Sequence, residues 1–177
     1  ANSKISYTYD SMNRIIIKTT YDNYNLSYHQ QRFYLYSANG HIIKDSLTEK
    51  GNPLLVTNYT YNSAGQLIRK ITNWAYKVKY QNRNTTDFCY DRKGNLKEEI
   101  SRYNSASESY IRGQKITRYK YDRKGRLVET RIDNRKILLI YDKSGNIIQR
   151  KDYNELATKK YSFKVPRYNI ITYEYYK

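Results

Sequence analysis

The sequence predicts an all-β fold of tandem antiparallel β-hairpins joined into a twisted, curled meander sheet. Three observations predict it. The first is a motif, Tyr-Asp-x-x-Gly-x-Leu or a close variant, that recurs six times at intervals of about 20 to 31 residues, the period range of a repeat architecture. The second is alternation of apolar and polar residues in the flanking segments, the mark of a half-exposed strand. The third is composition: 23 Tyr stand against three Phe, one Trp and one Met, so much of any core must be tyrosine. A Tyr ring buries a large area but its hydroxyl needs a partner or water, which suits thin sheets with a wet rim.

The six copies are Tyr7–Ile15, Tyr34–Ile42, Tyr59–Leu67, Phe88–Leu96, Tyr119–Leu127 and Leu139–Ile147. Asp, Asn or Ser at the first turn position caps the turn backbone with its side chain. Gly, or Asn13 in the first copy, then takes the left-handed position that closes a type I turn with a bulge. In that register Asp122 faces Arg126, and Tyr121 faces Leu127. The equivalent pairs are Tyr9 with Ile15, Tyr36 with Ile42, Tyr61 with Leu67, Tyr90 with Leu96 and Tyr141 with Ile147. Each aromatic–aliphatic pair adds roughly 0.2–1 kcal/mol over Ala–Ala.

Strands flank these turns. Tyr76-Lys77-Val78-Lys79-Tyr80 alternates strictly, Thr117, Tyr119 and Tyr121 share a face opposite Arg118 and Lys120, and Tyr168–Tyr176 reads as a closing strand. Residues Asn25–Gln31 and Tyr103–Ser109 read as polar connectors, and Asp152–Lys160 has room for one helical turn. Pro53 and Pro166 fall at strand starts or edges. The length of 177 residues fits a single domain, 1–177, with a real core. The Tyr–Leu face of every hairpin needs a cover, so the sheet is expected to curl on itself or to take a second sheet; open sheet, sandwich and partial barrel all remain open.

The formal net charge is +17, and it is lopsided. Through Tyr61 acids nearly balance bases, and beyond it bases outnumber acids by about two to one. Such a balance suits anionic partners, whereas solvated Lys and Arg on exposed strands also block edge-to-edge aggregation. One cysteine, Cys89, excludes an internal disulfide framework and a multi-Cys zinc site. No run reaches the length of a membrane span. The start at Ala1 without Met suits a mature exported protein, so an extracytoplasmic location is expected.

The run Tyr119-Lys120-Tyr121-Asp122-Arg123-Lys124-Gly125-Arg126-Leu127, with its five sister copies, resembles the YD repeat, also called the RHS repeat, of bacterial surface and toxin-shell proteins. The resemblance touches all six hairpins and about half of the chain. It implies a β-hairpin array in an exported protein, with carbohydrate or cell-surface association. The chain is too short to wrap into a shell and looks more like the small exported YD-like proteins of Bacteroides-type bacteria.

Catalysis needs converging groups, and few are offered. His29 lies in a connector, and His41 takes the place of Arg126 or Asn95 in sister repeats, a surface strand position. Asp91, Asp122 and Asp142 have the carboxylates a glycosidase needs, but their identical place in the repeat makes them turn initiators. No phosphate loop, dinucleotide fingerprint or metal-ligand spacing is present, so no enzyme and no cofactor is expected. The binding candidates are the bases at hairpin tips, Arg92, Lys93, Arg123, Lys124 and Lys143. A basic stripe of Lys77, Lys79, Arg118 and Lys120 joins them, with Trp74 as a ring for stacking. Together they predict a non-enzymatic module for an anionic polysaccharide or cell-surface component. A structural or protein-interaction module of the cell envelope is the second reading. Single-stranded nucleic acid, held by stacking and phosphate contacts, is the third.

Overall fold

The computed structural model describes residues 4–21, 29–74, 83–104, 113–154 and 167–173. They form thirteen strands: β1 (Lys4–Tyr9), β2 (Ile15–Tyr21), β3 (His29–Tyr36), β4 (Ile42–Glu49), β5 (Asn52–Tyr61), β6 (Leu67–Trp74), β7 (Arg83–Tyr90), β8 (Leu96–Asn104), β9 (Gly113–Tyr121), β10 (Leu127–Ile132), β11 (Arg135–Tyr141), β12 (Ile147–Asn154) and β13 (Arg167–Thr172). The hydrogen-bonded order is the chain order, β1 through β13, in one sheet. Of the three forms left open by the sequence, this is the open sheet: among the described residues β1 and β13 each have a single strand neighbour. The six-hairpin array with its closing strand is thus observed, and it is compatible with YD-like repeats.

The turns are built as the motif requires. In each of the six, the first turn residue receives a hydrogen bond from the glycine position and donates one to the carbonyl four residues on, as in Gly125 N to Asp122 O (3.1 Å) and Asp122 N to Arg126 O (2.9 Å). Gly125 has a φ of 79° and Asn13, at the same place in the first copy, 59°. The register then brings Tyr9 opposite Ile15, Tyr36 opposite Ile42, Tyr61 opposite Leu67, Tyr121 opposite Leu127 and Tyr141 opposite Ile147, each beside a bulge. Two further tight turns carry no motif. Lys50-Gly51 joins β4 to β5 with φ of 49° and 79°, and Asp133-Asn134 joins β10 to β11.

Two compact units are distinguished. The first comprises Ala1–Asp87 and Ser101–Gln114, the second Phe88–Ile100 and Lys115–Lys177. In the first unit the buried side chains are Thr19, Asp45, Leu55 and Thr57; in the second they are Thr117 and Glu129. Leu55 is the one buried hydrophobic residue among the described residues. The expected real core is therefore absent from them, and among the described residues no second layer covers the Tyr–Leu face. In a single layer each strand's side chains are shielded only by their neighbours on the same face, so short Thr side chains sink while Tyr and Ile stay half exposed.

Three local expectations are corrected. His29–Gln31 is strand rather than connector: it pairs with Thr19–Tyr21 of β2. Tyr103 and Asn104 end β8, and Asp152–Asn154 is the paired end of β12 rather than a helical turn. The reason is shared. A sheet wet on both faces admits polar strands, so polarity does not separate strand from loop. Lys77, Lys79, the rest of the Tyr76–Tyr80 segment, Pro166, residues 155–160, the connector residues 25–28 and 105–109, and residues 174–176 of the closing strand lie outside the described residues.

Candidate functional site

Consecutive antiparallel strands place alternate turns at the same end of a meander. In the second unit that end carries three motif turns: Asp91–Asn95 between β7 and β8, Asp122–Arg126 between β9 and β10, and Asp142–Asn146 between β11 and β12. Tips separated by two strands stand about 9.5 Å apart along the sheet. Arg92, Lys93, Arg123, Lys124 and Lys143 occupy their two central positions, and all five are exposed. Among the described residues none of these side chains donates a hydrogen bond or forms a salt bridge, and Lys93 acts on Asp91 only through its charge. The corresponding positions of the first unit, Ser11-Met12, Ala38-Asn39 and Ser63-Ala64, carry no charge.

Beneath each tip the carboxylate is fully occupied. Asp122 Oδ1 accepts from the backbone N–H of Lys124 (2.9 Å) and of Arg126 (3.0 Å), and Oδ2 from Arg126 Nε (2.8 Å). Asp91 and Asp142 repeat the pattern with Asn95 and Asn146 in place of Arg126. Backbone donation from Arg126 holds the Asp122 carboxyl below its ordinary range, with the side chains of Arg126 and the N–H of Lys124 adding to it. The hydrogen bonds of Asn95 do the same for Asp91, and those of Asn146 for Asp142. The turn hydrogen bonds thus favour the ionised form of these acids.

The other predicted bases are placed differently. Arg118 Nε lies 2.7 Å from Glu98 Oε2, and Lys120 Nζ 3.0 Å from Glu129 Oε1. Glu129 also takes Arg131 at 2.8 Å. Arg118 and Lys120 are therefore each ion-paired to a carboxylate, whereas the tip bases are not. Trp74 ends β6 in the first unit, opposite Leu55, and is 43% exposed.

His41 is not a lone surface residue. Its ring stacks on Tyr61 with centroids 4.7 Å apart. Arg14 over Tyr36 and Arg126 over Tyr141, each 4.6 Å from the centroid, are the equivalent contacts. The residue after the glycine thus packs on the tyrosine of the next hairpin, a role no single copy reveals. Cys89 is exposed. Among the described residues no three His, Cys, Asp or Glu side chains gather as a metal site, and no helix is long and apolar enough to cross a membrane.

Two features escape sequence reading. Asp45, 3% exposed on β4, accepts from the Tyr59 hydroxyl at 2.6 Å, with Arg32 Nε 3.8 Å from its other oxygen. Burial, reinforced by that carboxylate, pushes the Tyr59 phenol up. In the same unit, Arg69 and Arg102 converge from β6 and β8 on Asp87 of β7. Strand register, invisible in a linear motif, makes both.

No family model and no curated protein matches this chain. Among solved structures it is similar to a chain of the Photorhabdus luminescens Tc holotoxin pore, at 13% identity, a TM-score of 0.47, and coverage of 86% of this chain and 10% of the other. The chain thus spans about a tenth of the length of that relative.

Proposed function

We propose that this chain is a non-enzymatic, exported module that binds an anionic glycan or another anionic cell-surface component through its basic hairpin tips. One observation carries the reading: Arg92, Lys93, Arg123, Lys124 and Lys143 are exposed, unpaired and set at regular intervals along one end of the second unit. A row of cations on rigid turns matches a polymer with regularly spaced sulfate or carboxylate groups, and the ordered turns limit the entropy lost on binding. The resemblance to small exported YD-like proteins supports the extracytoplasmic location. A panel of immobilised sulfated, uronic-acid and neutral glycans tests the reading. Retention on the acidic members that survives moderate salt is expected; release at low salt with no preference among glycans contradicts it.

A second reading rests on a different observation. β1 exposes Ile5, Tyr7 and Tyr9, and the segment at β13 exposes Ile170, Ile171 and Tyr173, both on strands with a single neighbour. Such apolar edge strands are templates for assembly with a protein partner. Light scattering across a concentration series separates this structural module from the binding module: growth in mass supports assembly, and a constant monomer mass removes it.

A further inference from the structure

We propose that a groove in the first unit, on the sheet face opposite the motif tyrosines, binds a phosphomonoester group. The groove encloses about 700 Å³ and is lined by Arg69, Arg83, Asp87, Arg102, Tyr103 and Gln114, among others. Its lining belongs to the first unit, whereas the basic tips belong to the second, and it does not depend on their role.

Register builds the site. Arg69 and Asp87 are directly paired across β6 and β7, and Arg83, two alternations before Asp87, shares its face. Asp87 Oδ1 takes Arg69 Nε at 2.6 Å and Oδ2 takes Arg102 Nη1 at 2.5 Å. These bonds, Arg69 foremost, hold the Asp87 carboxyl below its ordinary range. Both carboxylate oxygens are thereby occupied, while each guanidinium keeps most of its five donors. Arg83 has no ion partner among the described residues.

The charge balance selects the ligand. Three guanidinium groups against one carboxylate leave two positive charges unbalanced on one concave surface. A phosphomonoester carries about −1.5 to −2 at neutral pH and three strong acceptor oxygens, so it matches both the charge and the donors left over. A carboxylate or a sulfate ester brings a single charge. Arginine forks suit phosphate oxygens geometrically, and Asp87 keeps two of them aimed into the groove before a ligand arrives. Tyr103, 44% exposed, also lines the groove.

The test titrates the full chain with inorganic phosphate, methyl sulfate and acetate by calorimetry at low ionic strength. Saturable phosphate binding near or below about 1 mM is expected, tighter than the singly charged methyl sulfate and acetate. Arg83→Gln, at an exposed and unpaired side chain, should weaken it roughly fivefold or more without moving the melting temperature. Substitutions at Arg92, Arg123 and Lys143 should leave it unchanged. A hexose phosphate and vesicles of phosphatidylcholine with phosphatidic acid then separate the carriers: tighter binding of either supports the site and assigns its source. Absent phosphate binding, equal binding by wild type and Arg83→Gln, or loss of binding with the tip substitutions overturns the proposal.

Discussion

The hydroxyl of Tyr141 donates to the carbonyl oxygen of Leu127 at 2.7 Å, tying the last motif hairpin to the one before it. The same bond runs from Tyr121 to Leu96 (3.0 Å), from Tyr61 to Ile42 (2.9 Å) and from Tyr36 to Ile15 (2.7 Å). The motif tyrosine therefore does two jobs. Its ring pairs with Leu or Ile within its own hairpin, and its hydroxyl captures the carbonyl of the equivalent residue in the preceding copy. Phenylalanine would serve the first purpose and fail the second.

Tyr141→Phe and Tyr61→Phe should each destabilise the chain by about 0.5–1.5 kcal/mol, the net worth of a hydrogen bond, while keeping the all-β circular dichroism spectrum. The double variant should show additive losses in chemical denaturation, since the two bonds share no partner. Unchanged denaturation midpoints would remove the staple.

Gly125→Asn should be tolerated, because Asn13 already holds the left-handed conformation at the same place in the first copy. Gly125→Ala should cost roughly 1–2 kcal/mol through the positive φ alone, since an added Cβ meets nothing within 4 Å. Gly65→Ala should cost more. Its Cβ would lie 3.1 Å from His41 Nε2 and press on the ring stacked against Tyr61. Thermal melts of the three variants should rank Asn, then Ala at 125, then Ala at 65.

The turns were legible from the sequence, because each is local: Asp122, Gly125 and Arg126 lie within five residues and obey one geometry. The scarcity of buried apolar side chains among the described residues was not. Tyr–Leu pairing implies an apolar face but does not say what covers it, and Thr57, Thr117 and Asp45 are buried while the motif tyrosines are not. Of the tip bases, all five described residues are exposed, as repeat position suggests. Arg118 and Lys120 read as equally free, yet Glu98 and Glu129 meet them across neighbouring strands. The groove at Asp87 depends on three strands coming together, and no spacing within the chain announces Arg69, Arg83 and Arg102 as neighbours.

Tyr59→Phe should cost about 1–3 kcal/mol, because it leaves the buried Asp45 carboxylate without its hydroxyl donor. Asp45→Asn keeps an acceptor for Tyr59 and should cost less than Asp45→Ala, which strands the hydroxyl. Urea denaturation of the three variants measures the order; equal losses for Asn and Ala at position 45 would contradict it.

Stability should fall at high pH. Burial, with Glu99 beside it, pushes the Tyr119 phenol from 10.0 up to about 12, and burial raises Tyr59 and Tyr121 as well. A raised folded-state value means the stabilisation is complete below pH 10 and is lost as pH rises through the folded value. The turn aspartates have the opposite sign. Depressed by their turn hydrogen bonds, they contribute above the ordinary carboxyl range and lose that contribution as pH falls through their lowered values. Melting temperatures measured from pH 2 to 12 should therefore form a plateau with a fall at each end, and Tyr119→Phe should flatten the alkaline one.

The most direct test of the central claim, that the repeat builds the fold while the varying tips carry function, is one variant. Arg92, Lys93, Arg123, Lys124 and Lys143 are all replaced by Gln, and retention on an immobilised sulfated glycan is measured beside the wild-type chain. The account predicts that binding is lost while the spectrum and melting temperature are retained, because all five side chains are exposed on the turns. Retained binding, at the same salt dependence, would contradict it.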